Sequence, residues 1–188
     1  MMTGKQRGVL IVAAVVVAAL GAATGYYVKR HLVKPEAMEQ PAVARTGVLP
    51  AFTLFDMDGN PVTKEELLAS DKALFINFWA TWCKPCREEM PLLAEMQEKY
   101  SDDLLMVGIA IDNREAVAEF LEHIGGVNYP ILLGRQELDA IETANAMGID
   151  LIGLPVSLMA DRTGKIVAIH TGEVDAAEAT ALIEAAIR

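Results

Sequence analysis

Asn77-Phe78-Trp79-Ala80-Thr81-Trp82-Cys83-Lys84-Pro85-Cys86-Arg87-Glu88-Glu89-Met90-Pro91 is the stretch that decides how this chain folds. It opens inside Ala73–Trp79 (ALFINFW), a strand-length apolar run rich in aromatic residues, the pattern of a strand buried on both faces. After the short link Ala80-Thr81-Trp82, helical spacing runs from Lys84 to about Tyr100, with Pro91 predicted to kink it. Cys83 and Cys86 are the only two cysteines among 188 residues, and they sit at the junction of strand and helix.

Three uses of such a pair can be weighed. A structural staple gains little from so small a loop, because chain-entropy stabilisation grows with loop length. A structural zinc site takes about four ligands, and the only histidines, His31, His123 and His170, are scattered over a basic flank, a helix and a strand. Reversible disulfide chemistry suits the position best. Unpaired N–H groups and the macrodipole at a helix N-terminus favour a thiolate at Cys83, and Lys84 adds positive charge beside it. Cys86 lies one turn on and faces inward. Cys83 is therefore read as the attacking nucleophile and Cys86 as the resolving thiol.

Outward from the motif, strands and helices alternate. Phe52–Phe55 and the turn Asp58-Gly59-Asn60-Pro61 predict an N-terminal hairpin. Leu104–Ile111 is a second buried strand, followed by a helix over Glu115–Ile124. Tyr129–Leu133 is a short strand or extended link, and Leu138–Met147 a helix. Val156–Met159 and Lys165–His170 flank the turn Asp161-Arg162-Thr163-Gly164, and Ala176–Ile187 is an amphipathic helix burying Ala179, Leu182, Ile183 and Ala186. The order predicts an α/β fold, a mixed sheet with helices on both faces.

The first thirty-four residues are of another kind. From Gly8 to Val28 no residue is charged over 21 positions, a length that spans roughly 30 Å as a helix, the thickness of a bilayer core. Lys5 and Arg7 flank it on one side and Lys29, Arg30, His31 and Lys34 on the other. Residues 1–34 read as a single membrane anchor, 35–47 as a linker with Pro35 and Pro41, and 48–188 as the folded domain. A cleaved signal peptide is the rival, though its apolar core would be shorter. Five of the sixteen Lys and Arg and none of the twenty-six Asp and Glu lie in residues 1–34, so eleven cations face twenty-six anions in the remainder, a formal charge of −15. Such a surface disfavours nucleic acid as a partner. With 53% apolar and 22% charged residues, the chain is not a disordered one.

The quoted stretch resembles the active-site segment of TlpA/ResA-type, membrane-anchored thioredoxin-like proteins. Gly153-Leu154-Pro155-Val156-Ser157, with Asp161-Arg162-Thr163-Gly164-Lys165 after it, is similar to that family's cis-proline loop and following hairpin. The resemblance covers about residues 46–188. It implies a thioredoxin fold with an N-terminal β-hairpin extension, preceded by one transmembrane helix. It also implies a domain held outside the cytoplasmic membrane, in the periplasm or an equivalent space. Pro155 would be the cis proline packed against the cysteine pair, and the backbone of Leu154 would pair with an extended substrate segment. Trp82, Lys84 and Pro85 would complete the substrate-facing set. Cytosolic thioredoxins carry a buried Asp in the strand before the motif, where this chain has Asn77. The proton acceptor for Cys86 is therefore sought elsewhere. Asp112, at the end of the second buried strand, aligns with an acidic residue that relatives of the ResA kind supply as Glu, and would serve as general base. Asp112 or Asn113 as an ordinary helix N-cap is the alternative.

Glu88 and Glu89 read as acids favoured by the dipole in the first turns of the helix. The resemblance implies reduction of protein disulfides, in cytochrome c maturation or copper-centre assembly. A transmembrane electron-donor protein would be the partner, with no cofactor and no bound metal. The alternatives are a thiol peroxidase, whose usual Pro-x-x-x-Thr-x-x-Cys is missing, and a copper metallochaperone using the same two thiolates.

Overall fold

The computed structural model describes residues 47–188. The anchor read over residues 1–34, and the linker up to residue 46, lie outside the described residues. In chain order the elements are β1 (Gly47–Val48), β2 (Thr53–Phe55), β3 (Pro61–Thr63), α1 (Lys64–Leu68), β4 (Ala73–Trp79), α2 (Lys84–Lys99), β5 (Leu104–Ala110), α3 (Arg114–Ile124), β6 (Ile131–Leu133), α4 (Glu137–Ala146), β7 (Val156–Ala160), β8 (Lys165–Thr171) and α5 (Ala176–Ile187). All eight strands join one mixed sheet in the order β1-β8-β7-β4-β5-β6-β2-β3.

β4 is central because every one of its residues is apolar or shielded, and all seven are buried. It pairs in parallel with β5, from Ala73↔Leu104 to Trp79↔Ala110, and antiparallel with β7, from Leu74↔Ala160 to Phe78↔Val156. The strand's two-residue period then sorts its side chains. Phe75 and Trp79 pack into the layer of α2, α3 and α5, with Cys86, Met90, Leu93, Val117 and Ile183. Leu74, Ile76 and Phe78 face the opposite layer, with Leu67 of α1 and Ala140 and Ala144 of α4. Helices thus cover both faces, as the alternation of elements implies. Gln97 locks α2 to β5 by donating to Leu104 O at 3.2 Å and accepting from Met106 N at 2.7 Å.

Three features depart from the sequence reading. β1 pairs with β8 through Gly47↔Ile166, so the folded unit takes in Gly47, which the sequence placed in the linker. The expected hairpin forms, and it also docks onto the sheet, β2 meeting β6 at Phe55↔Leu133. α1 was not expected. It is one short turn held by a capping box in which Thr63 and Glu66 satisfy each other's backbone N–H, a device too brief to leave a periodic signal. α2 continues through Pro91 to Lys99. Among the described residues no helix is long and apolar enough to cross a membrane.

Candidate active site

Parallel β4 and β5 end at the same edge of the sheet, and antiparallel β7 begins there. That geometry gathers the loop before Cys83, Asp112 after β5, and Pro155 before β7. Cys83 is the N-cap of α2, and its Sγ accepts the Cys86 N–H at 3.3 Å. The two sulfurs form a disulfide with Cα atoms 5.3 Å apart. Cys83 keeps 4% exposure and Cys86 none, so Cys83 is the sulfur an incoming molecule reaches. Lys84 and Pro85 occupy the first two helical positions, where the missing proline N–H has no intrahelical partner to lose. Lys84 pairs with Glu88 across one turn at 2.6 Å. Trp82 is 69% exposed beside the disulfide, an apolar surface at the mouth of the site.

The Leu154–Pro155 peptide is cis, as the family resemblance implies. The Pro155 carbonyl accepts from Gly172 N at 2.9 Å. The N–H and C=O of Leu154 have no partner among the described residues, which leaves them open to a further strand.

Asp112 turns its carboxylate to the loop. One oxygen accepts from the Thr81 backbone at 3.1 Å and from the Thr81 hydroxyl. The other accepts from Asn113 N at 2.9 Å. The N-cap of α3 is Asn113, whose side chain accepts from Ala116 N at 2.9 Å. Asp112 also forms part of the wall of a cleft of about 780 Å³ between the starts of α3 and α4, but neither cysteine lines that cleft.

The sequence reading missed Glu89. It is not a solvated first-turn acid but a buried one, with 1% of its surface exposed. One carboxylate oxygen accepts from Asn77 Nδ2 at 2.8 Å and the other from Val174 N at 3.0 Å. Asn77 spends its amide on Ser157 Oγ as well, at 3.2 Å. Burial pushes the Glu89 carboxyl up from 4.5 to about 7, against these two hydrogen bonds and with a smaller upward push from Glu173. Glu89 also borders a groove of about 400 Å³ whose other walls include Glu88, Glu173, Asp175 and Glu178. The signal was present in the sequence. Cys86, Met90 and Leu93 trace the inward stripe of α2, and Glu89, three residues from Cys86, falls on that stripe rather than opposite it.

The Redoxin family profile matches residues 45–184. The chain is 32% identical over 173 residues to a thiol-disulfide oxidoreductase ResA from Geobacillus thermodenitrificans, covering 89% of this chain and 90% of the relative. It is 33% identical over 128 residues to a ResA from Bacillus thuringiensis, with 66% and 68% covered. Among solved structures, a thiol:disulfide interchange protein of the thioredoxin family from Chlorobium tepidum superposes with a TM-score of 0.65 at 28% identity, over 78% of this chain and all of that one.

Proposed function

From the premise that the chain belongs to the redoxin family, and is a thiol–disulfide oxidoreductase with a thioredoxin-like fold, we propose that it reduces disulfides of extracytoplasmic proteins. Residues 1–34 hold it at the cytoplasmic membrane in this reading. Its duties would lie in cytochrome c maturation or copper-centre assembly, where cysteine pairs must be reduced before a haem or a metal is attached. The anchor, the compartment and these duties rest on the sequence and the family resemblance.

The reductive direction is supported by one observation, the buried Glu89 three residues from Cys86 beside an acidic groove. A thiolate near carboxylates is destabilised, whereas a disulfide carries no charge to repel. A reduced form that carries a Cys86 thiolate is thereby disfavoured relative to the disulfide, which favours giving up the electrons.

Cys83, as thiolate favoured by the Cys86 N–H and the α2 N-terminus, attacks one sulfur of a substrate disulfide. A Cys83–substrate mixed disulfide forms, and the other substrate sulfur leaves as a thiolate that takes up a proton. The substrate segment lies along the unpaired backbone of Leu154 as an added strand. In this reading Trp82, Lys84 and Pro85 face that segment. Cys86 then loses its proton to the Glu89 carboxylate and attacks Cys83 Sγ. The second substrate thiolate departs and the Cys83–Cys86 disulfide closes, with two electrons passed to the substrate. Of the two acids at this edge, Glu89 takes the proton. Asp112, expected to be the base, holds the Thr81 loop in place. The chain has no third cysteine, so an external dithiol, proposed as a transmembrane donor protein, restores the pair.

The deciding experiment is the reduction potential of the full-length chain, equilibrated in dithiothreitol and glutathione buffers and read by thiol alkylation. A value around −270 mV or below is expected, and one near about −120 mV would mark an oxidant and overturn the reductive reading.

A further inference from the structure

Two buried donors find no acceptor among the described residues: the Trp79 indole N–H and the Tyr129 hydroxyl. Trp79 is fully buried and Tyr129 is 7% exposed. The topology brings them together. Trp79 ends β4, Tyr129 stands just before β6, and β5 runs between these strands. On β5 both rings close over Gly108, where a Cβ would stand 3.1 Å from Trp79 Nε1 and 3.4 Å from Tyr129 Cε2. The β4–β5 register makes Gly108 the direct partner of Asn77, and Asn77 is the residue that holds Glu89. Tyr129 senses that acid: burial first, and the Glu89 charge second, hold its hydroxyl well above the ordinary tyrosine range.

We propose that Trp79 and Tyr129 frame a buried water site beside Glu89, and that Tyr129 is a positioning residue that sets the acidity of Glu89. The second half rests on the proposed proton role of that acid. Buried donors left unpaired are heavily penalised, and native interiors meet the need with ordered water. One water accepts the indole N–H and the tyrosine O–H on its two lone pairs, and its own two hydrogens remain to donate towards the carboxylate. Such donors favour the ionised acid, opposing the desolvation that keeps it protonated.

The groups facing Glu89 are few. Cys86 and Glu88 lie on its own helix. Glu173, Asp175 and Glu178 come from the start of α5 and the turn before it. β4 and β7 supply only the neutral Asn77 and Ser157, and His170 of β8 is turned to the Glu173 carbonyl at 3.4 Å. Tyr129 is thus the titratable side chain on the β6 side.

The test uses the full-length chain. The protein has two tryptophans, and the exposed Trp82 is the internal control for Trp79. A nuclear Overhauser contact from a long-lived water to the Trp79 indole proton is expected, with none at Trp82. Its loss or weakening is expected in Tyr129→Phe. The Glu89 midpoint is followed by its infrared carboxyl band, identified as the band missing in Glu89→Gln. In Tyr129→Phe it should rise by about one pH unit, the worth of one hydrogen bond to a charged group. No bound-water contact at Trp79 in the unaltered protein overturns the water site, whether or not the variant folds. A Glu89 midpoint unmoved in a folded Tyr129→Phe overturns the positioning role. The pH profile of disulfide exchange in Glu89→Gln tests the underlying proton role separately, so the two readings fail on different measurements.

Discussion

Asn77 on β4 donates its side-chain amide to Glu89 on α2 across 2.8 Å, inside the layer that also buries Cys86. An acid at position 77 would set two carboxylates against each other in a low-dielectric space. The amide instead supplies a donor to Glu89 and another to Ser157, so this pair of positions buries one ionisable group, not two. The buried acid of this layer stands on the helix, and its chemistry has consequences that can be measured.

Stability should depend on pH through Glu89. Its carboxyl stands at about 7 in the folded chain against 4.5 ordinarily. The folded state therefore binds this proton more tightly than the unfolded one. The resulting stabilisation is fully present below 4.5 and is lost as pH rises through 7, a change of roughly 3 kcal/mol across that window. Denaturant titrations from pH 4 to 8 should show the decline in the parent chain and a flattened profile in Glu89→Gln. Equal slopes in the two would deny Glu89 its raised acidity.

Replacing the resolving sulfur should arrest the reaction halfway. Cys86→Ser leaves the reachable Cys83 able to attack but removes the thiol that releases the product. Incubation with a model disulfide protein should accumulate a mixed disulfide at Cys83, visible on non-reducing gels and cleared by dithiothreitol. Cys83→Ser should give none. Trapping through Cys86 instead would reverse the assignment of the two sulfurs.

Asp112 and Glu89 should separate kinetically. Asp112→Ala removes the acceptor for the Thr81 N–H and hydroxyl, so the loop before Cys83 loosens. A fall in exchange rate on the order of tenfold is expected from hydrogen bonds to a charged group. The pH midpoint of the exchange should stay where Glu89 puts it. If instead the titrating limb vanishes in Asp112→Ala, Asp112 is the proton acceptor that the sequence reading named.

Gly108 should resist even a methyl group. A Cβ at that position would lie 2.7 Å from Ile131 Cδ1 as well as against Trp79 Nε1. The isoleucine terminus can shift, but the indole and the Tyr129 ring are packed in the core. Gly108→Ala should lose about 1–3 kcal/mol in denaturant unfolding, the usual result of overpacking. A neutral result would mean that the rings have room to retreat.

Much of this protein was legible in one dimension because the signals are local. The run Ala73–Trp79 could only be a buried strand, and it forms as read. The limits of β7, β8 and the later helices fall within a residue or two of their turn and capping signals. The spacing of Cys83 and Cys86 at a strand-to-helix junction pointed to disulfide chemistry, and the family resemblance of Gly153–Ser157 implied the cis proline at Pro155. Glu89 shows where that legibility stops. Its place on the stripe of Cys86, Met90 and Leu93 is visible in the sequence, but how deeply that stripe is covered there is not. Its burial arises because β4 places Asn77 beneath it and the turn before α5 brings Val174 N–H over its second oxygen, eighty-five residues away. The same holds for Trp79, Gly108 and Tyr129, which β4, β5 and the segment before β6 assemble. The sequence by itself determined the strands, the helices and the reactive pair, since periodicity, capping and spacing act within a few residues. The tertiary structure decided which carboxylate is desolvated beside that pair, because desolvation depends on atoms contributed from across the whole sheet.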